Sequence, residues 1–231
     1  VDTSAASVLA TATKHNNTLK SINLSDNPLS DVTLYTTGSD PCDTNGLNAL
    51  AEAVSVNVAL VEITLDGGKL PVDELKGERQ GEKRENEKQS EKQGEKRVKF
   101  LDLSKKSLGF VSAIFIGTLL RGNLNITELV LHSNQLTPKG VTFIVKQLPA
   151  SLKTLDIANT VHVDERSKAE KKGDKKSTAT TGPQVSIPAD QVEALWAAVT
   201  TLSSIEKLTM DRDYLSDLKD IGKMLSLKTL S

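Results

Sequence analysis

From Leu19 onward the chain repeats one spacing of apolar residues, and that spacing limits its fold more than any other feature. Leu19-Lys20-Ser21-Ile22-Asn23-Leu24-Ser25-Asp26-Asn27-Pro28-Leu29 reads L-x-x-L-x-L-x-x-N-x-L, and Ile126-Thr127-Glu128-Leu129-Val130-Leu131-His132-Ser133-Asn134-Gln135-Leu136 repeats it in full. The same frame fits Leu60, Ile63, Leu65, Gly68 and Leu70, then Val98, Leu101, Leu103, Lys106 and Leu108, with Gly68 and Lys106 in the asparagine position. Looser copies run Leu152, Leu155, Ile157 into Thr160 and His162, and Ile205, Leu208, Met210 into Asp213 and Leu215; a further one starts at Leu227 and Leu230. Six in-frame copies separated by helix-like segments are hard to obtain by chance.

A short strand, a turn and a returning helix cannot bury an apolar face alone, so such units stack into a solenoid. Side chains alternate along a strand, which sends the fourth and sixth motif residues into the core and turns the third, fifth and seventh to solvent. The motif asparagine bonds turn backbone that no strand satisfies, so Gly68, Lys106, Thr160 and Asp213 mark turns expected to be less regular. Helical patterns follow the strands at 46–55, 109–121, 138–148, 189–202 and 218–225. Thr137-Pro138 and Pro188-Ala189-Asp190 supply helix-start chemistry. Val98 to Ile126 and Ile126 to Leu152 are steps of 28 and 26 residues, long enough for full helices. The fold class is therefore α/β: a leucine-rich-repeat solenoid with a curved, parallel, concave sheet and convex helices.

One elongated domain over 1–231 accommodates these repeats, with 37% hydrophobic residues and only 3% aromatic, as an interior of Leu, Ile and Val requires. Two charged inserts stretch the spacing. The first, 76–97, is almost entirely Glu, Lys, Arg, Gln and Gly; the second, 164–187, holds Lys171-Lys172 and Lys175-Lys176. Neither has an apolar face, and both read as solvated loops. A net charge of -1 favours neither nucleic acid nor an anionic membrane. Phe110 to Leu120, the most apolar run, is too short to span a bilayer and is expected as a core helix. Cys42 is the single cysteine, which excludes an internal disulfide and points to an intracellular, cytoplasmic setting. A first residue Val1 and a last residue inside a motif lead to the expectation of a fragment of a longer protein.

Asp66-Gly67-Gly68-Lys69-Leu70-Pro71-Val72-Asp73-Glu74-Leu75-Lys76-Gly77, with Leu101-Asp102-Leu103-Ser104-Lys105-Lys106-Ser107-Leu108-Gly109 after the insert, resembles repeat proteins abundant in protists. These are similar to the ribonuclease-inhibitor-like repeats that also occur in nucleotide-binding immune receptors and in the activating protein of the Ran GTPase. The resemblance covers most of the chain outside the inserts. It implies the fold, and for function it implies only that several kinds of partner are open.

The sequence offers no catalytic or metal constellation and no cofactor motif. His15, His132 and His162 lack a Cys or His partner at ligand spacing. Gly67-Gly68 is a turn without the Gly-Lys-Ser/Thr of a phosphate loop. Cys42 has no basic neighbour to activate it. The informative surface is the concave sheet, whose outward residues include Glu62, Asp66, Phe100, Asp102, Glu128, Val130, His132, Asp156 and Asp211. Phe100 and Val130 within an acidic rim suit a protein partner with a basic surface. The expectation is a non-enzymatic, monomeric scaffold that binds protein on this face. The alternatives are a regulator of a small GTPase or the sensor portion of a larger nucleotide-binding receptor.

Overall fold

The computed structural model describes residues 3–27, 29, 44–66, 68–77, 99–160, 189–210 and 228–230. In chain order the elements are α1 (Thr3–His15), β1 (Ser21–Asn23), α2 (Asn45–Val56), β2 (Glu62–Leu65), β3 (Gly68–Pro71), α3 (Val72–Lys76), β4 (Phe100–Asp102), α4 (Phe110–Leu120), β5 (Glu128–Val130), α5 (Thr137–Gln147), β6 (Thr154–Asp156), α6 (Ala189–Val199), β7 (Lys207–Thr209) and β8 (Thr229–Leu230). The motif strands align in parallel and in frame: Ser21 opposite Glu62, and Phe100, Glu128, Thr154, Lys207 and Thr229 in one row. The expected strand phase holds. Ile63, Leu65, Leu101, Leu103, Leu129, Leu131, Leu155, Ile157, Leu208 and Met210 are buried, while the residues between them face outward to different degrees.

Helices α2, α4, α5 and α6 occupy the places expected from the apolar pattern and pack in succession along the opposite side of the sheet. In α4 every residue from Val111 to Leu120 is buried. It lies against α2 and α3 on one side and α5 on the other, which is why this helix needs no polar face. Each of its large side chains contributes about 1.5–3 kcal/mol by leaving water. In α5, Thr137 has a φ of 62° and its hydroxyl accepts a bond from the Gly140 amide at 3.3 Å, so it caps the helix as its sequence indicates. Helix α1, which precedes the first motif, was not foreshadowed by the repeat. It packs on α2 through small residues such as Ala6 and Ala10. The helix expected at 218–225, and Cys42, His162, Asp211 and Asp213, lie outside the described residues, as do 78–98 and 161–188.

Asparagines hold the turns. Asn134 is buried; its amide nitrogen donates to the Leu103 and Leu131 carbonyls at 2.8 and 2.7 Å, and its oxygen accepts from the Lys106 and Leu108 amides at 3.0 and 3.1 Å. The turn with Lys106 in the asparagine position is thus kept regular by the asparagine of the next unit. Thr160 replaces half of the device, its hydroxyl donating to the Ile157 carbonyl at 3.0 Å as Asn27 donates to Leu24 at 3.1 Å. The residue before this position, Asp26, Lys105, Ser133 or Asn159, has a φ between 51° and 60°.

One unit departs from the expected frame. After Leu65 the chain reverses through Asp66, whose φ is 48°, and β3 runs antiparallel to β2 with Leu65 opposite Gly68 and Glu62 opposite Pro71. Asp-Gly between alternating residues is a strong two-residue hairpin signal. The hairpin takes the edge of β2 where the next parallel strand would pair. The sheet is therefore in two parts, β1-β2-β3 and β4-β5-β6-β7-β8. A single apolar core nonetheless runs beneath both, from Ala10 to Met210. Gly68 fits against the Lys106 carbonyl and Leu108, where a Cβ would collide with both. Lys76, expected at the start of the first insert, is the last residue of α3, which ends on Gly77 with φ 74°.

Candidate partner-binding face

Strand register sets the outward side chains of the larger sheet in rows. The third motif position gives Phe100, Glu128, Thr154 and Lys207; the fifth gives Asp102, Val130, Asp156 and Thr209. Adjacent strands lie ~4.8 Å apart, so Val130 sits between Asp102 and Asp156, whose backbones are separated by about 10 Å. Phe100 remains 53% exposed although it is a large aromatic residue. Val130, Glu128 and Asp156 are half-buried and Asp102 is exposed.

Short-range bonds position the two aspartates. One oxygen of Asp102 accepts from the Ser104 amide at 2.8 Å, and Asp156 accepts from the Ala158 amide at 3.1 Å. The Ser104 hydroxyl and amide hold the Asp102 carboxyl below its ordinary range, and His132 and Lys106 add smaller attractions in the same direction. His132 is half-buried, with Nδ1 3.1 Å from the Ser133 hydroxyl. It lies just beyond the end of β5, close enough to Asp102 to act on its carboxyl. Among the described residues no group of three His, Cys, Asp or Glu side chains is placed to hold a metal ion.

Two residues assigned to this face do something else. Asp66 was expected to point outward beside Asp102. Instead its carboxylate accepts from the Ser112 amide and hydroxyl, each at 2.9 Å, and from the Gly109 amide at 3.2 Å. It thereby caps α4, because the hairpin turn carries it towards that helix start rather than along a strand. Glu62 does face outward, but Lys69 on β3 pairs with it at 3.0 Å. Since β3 exists only through the hairpin, the motif frame gave no hint of this neutralising partner. Phe100, Asp102, Glu128, Val130, His132 and Asp156 are thus gathered on one sheet, while Glu62 belongs to the other.

A further set of residues went unread in the sequence. Asn16, Asn57 and Asn123 each stand three places before the first motif residue. The Asn57 amide nitrogen donates to the Thr13 and Asn16 carbonyls, both at 2.6 Å, and its oxygen accepts from the Ala59 and Leu60 amides at 2.8 and 2.7 Å. Asn123 does the same with Glu74, Leu75, Asn125 and Ile126. The recurrent Asn-x-x-Leu/Ile spacing was the available signal.

Stacked parallel motif strands with helices packed along their other side, closed by asparagine-bonded turns, define the class of fold: a leucine-rich-repeat solenoid. The family model described as Leucine Rich repeat matches residues 15–33 and 122–145, which contain the two complete motif copies. Among solved structures the chain is similar to a tropomodulin C-terminal domain from Caenorhabditis elegans, at 11% identity and a TM-score of 0.39 over 97% of this chain and 89% of that one. It is also similar to a structure described as leiomodin-1 actin-binding site 2, at 14% identity and a TM-score of 0.40 over 95% and 86%. No curated protein sequence matches it. Among the described residues no helix is long and apolar enough to cross a membrane.

Proposed function

We propose that the protein is a non-enzymatic interaction scaffold that binds a basic protein surface on the outward face of β4, β5 and β6. The observation that carries this reading is Phe100, 53% exposed beside Glu128 and two residues before Asp102, with Val130 and Asp156 on the next two strands. An exposed aromatic ring diagonal to an aliphatic side chain on the neighbouring strand supplies an anchor that is stabilised by leaving water, and truncating such an anchor removes more than about 2 kcal/mol of binding energy. The carboxylates of Asp102, Glu128 and Asp156 attract lysine or arginine side chains and speed encounter at low salt. Stacked repeats present broad, stiff surfaces suited to a folded partner.

A partner captured from cell extract with the wild-type chain provides the test. Phe100→Ala should weaken its binding at least tenfold and leave the unfolding midpoint nearly unchanged. Asp102→Lys should slow association, with a smaller salt dependence than the wild type. If Phe100→Ala unfolds the protein, or if neither substitution alters binding, the face has been misassigned.

A further inference from the structure

The second motif position forms its own row along the amino-terminal ends of the strands. Backbone bonds tie it together: the Val61 amide donates to the Lys20 carbonyl, Thr127 to Lys99, Lys153 to Thr127 and Glu206 to Lys153, all at 2.8 Å, and Lys228 to Glu206 at 2.7 Å. Lys20, Lys99 and Lys153 are exposed and form no ion pair with a described residue. Glu206 is paired with Lys228. The row is therefore basic, although the outward face immediately behind it is acidic.

The same margin collects most of the exposed apolar side chains. Among the described residues seven large apolar side chains are exposed; Leu19, Val56, Val58, Val61 and Leu124 lie at or beside this margin, Phe100 belongs to the outward face, and Val8 lies in α1. Val58 and Leu124 are the extremes, at 84% and 81%. They hold equivalent places, each directly after a corner asparagine, Asn57 or Asn123, whose side chain is fully bonded to backbone. Their exposure is thus imposed by pinned corners. In stacking order the margin reads Lys20, then Val58 and Val61, then Lys99, Leu124 and Lys153.

We propose that this margin is a docking surface for an acidic amphipathic helix of another protein, lying across the strands in the stacking direction. The complementarity is in both charge and period. Lys99 and Lys153 stand two strands apart, about 9.6 Å, with Thr127 between them in the row and Leu124 in the corner just before that middle strand, and two turns of a helix advance about 10.8 Å, so acids two turns apart with a leucine between them meet base, leucine and base. Apolar anchors with flanking charges are a common way to seat a helix on a protein surface. A flat anionic bilayer fits less well, because it would also meet Glu206, which stands in the same row. This surface is distinct from the face of Phe100, Asp102 and Asp156, and the proposal stands or falls separately.

The test uses the whole chain and a synthetic helical peptide that repeats Glu-x-x-Leu-x-x-x with Ala and Gln elsewhere, followed by NMR and fluorescence anisotropy. Binding should shift the amides of Val58, Lys99, Leu124, Thr127 and Lys153, and leave those of Asp156 and Thr209 unmoved. Lys99→Glu/Lys153→Glu and, separately, Val58→Asp/Leu124→Asp should each weaken binding at least tenfold, whereas Asp102→Lys should not weaken it. A control peptide with Lys in place of Glu should not shift the margin, and phosphatidylserine–phosphatidylcholine vesicles should not sediment the protein. The proposal fails if the acidic peptide does not bind, if it binds the margin variants as tightly as the wild type, or if vesicles bind through the same lysines while the peptide does not. Circular dichroism checks the folding of each variant; should the glutamate pair fail to fold, Lys99→Gln/Lys153→Gln is read in its place.

Discussion

Asn134 and Asn57 show how single side chains govern this molecule. Each donates twice and accepts twice, and each joins two units rather than closing its own turn alone. Removing such a group strands several backbone donors and acceptors away from water, which costs about 1–3 kcal/mol for each that stays unpaired. Asn134→Ala should therefore lower stability by roughly 3 kcal/mol in urea unfolding. Asn27→Ala, at a half-buried position whose amide nitrogen donates to the Leu24 and Ser25 carbonyls, should lose about 1 kcal/mol. Equal losses would show that burial is not what sets the cost. Asp102 offers a titration test. Its folded pKa is depressed, so the stabilisation it gains is present above the unfolded value and is lost as pH falls through the folded one. Side-chain carboxyl NMR should find Asp102 titrating below the ordinary aspartate range, and Ser104→Ala should raise it, since the Ser104 hydroxyl is the largest cause. An unchanged pKa in Ser104→Ala would remove that cause.

At the level of elements, the β2–β3 hairpin is the main departure from a regular solenoid. It ends one sheet, brings Lys69 against Glu62, and points Asp66 at the start of α4. Asp66→Ala should cost about 1 kcal/mol, the usual effect of losing a helix cap, and should leave partner binding on the Phe100 face unaltered. Thermal unfolding and binding measured on the same variant decide this. A loss of binding with no loss of stability would return Asp66 to the binding face. The first insert falls between α3 and β4, at the corner where other units need only a few residues. The second falls after β6, at the opposite ends of the strands.

Across the whole molecule, hydrogen-bonded continuity and apolar continuity separate. The sheet is divided between β3 and β4, yet the core is a single cluster on which α2, α3 and α4 all close. Units that share a core in this way unfold together even where strands do not pair. Urea unfolding followed by circular dichroism and by the fluorescence of Trp196 in α6 should give coincident single transitions. Two separated transitions would mean that the hairpin divides the protein into independent folding units.

The repeat spacing by itself determined the solenoid, the strand phase and four of the convex helices, because burial of every third and fourth apolar residue is a local and periodic demand. It also placed Phe100, Asp102, Glu128, Val130 and Asp156 on one outward face, since alternation along a strand needs no knowledge of neighbours. The motif frame misplaced Asp66, although Asp66-Gly67 was a legible hairpin signal, because the frame predicts a repeat and the turn breaks it. The corner asparagines were legible as well, at a spacing just outside the motif. What only the tertiary structure decided were relations between units: the neutralisation of Glu62 by Lys69, the capping of α4 by Asp66, and the gathering of Lys20, Lys99, Lys153, Val58 and Leu124 along one margin. Each depends on which strand lies beside which, and that is fixed when the units stack and share their core.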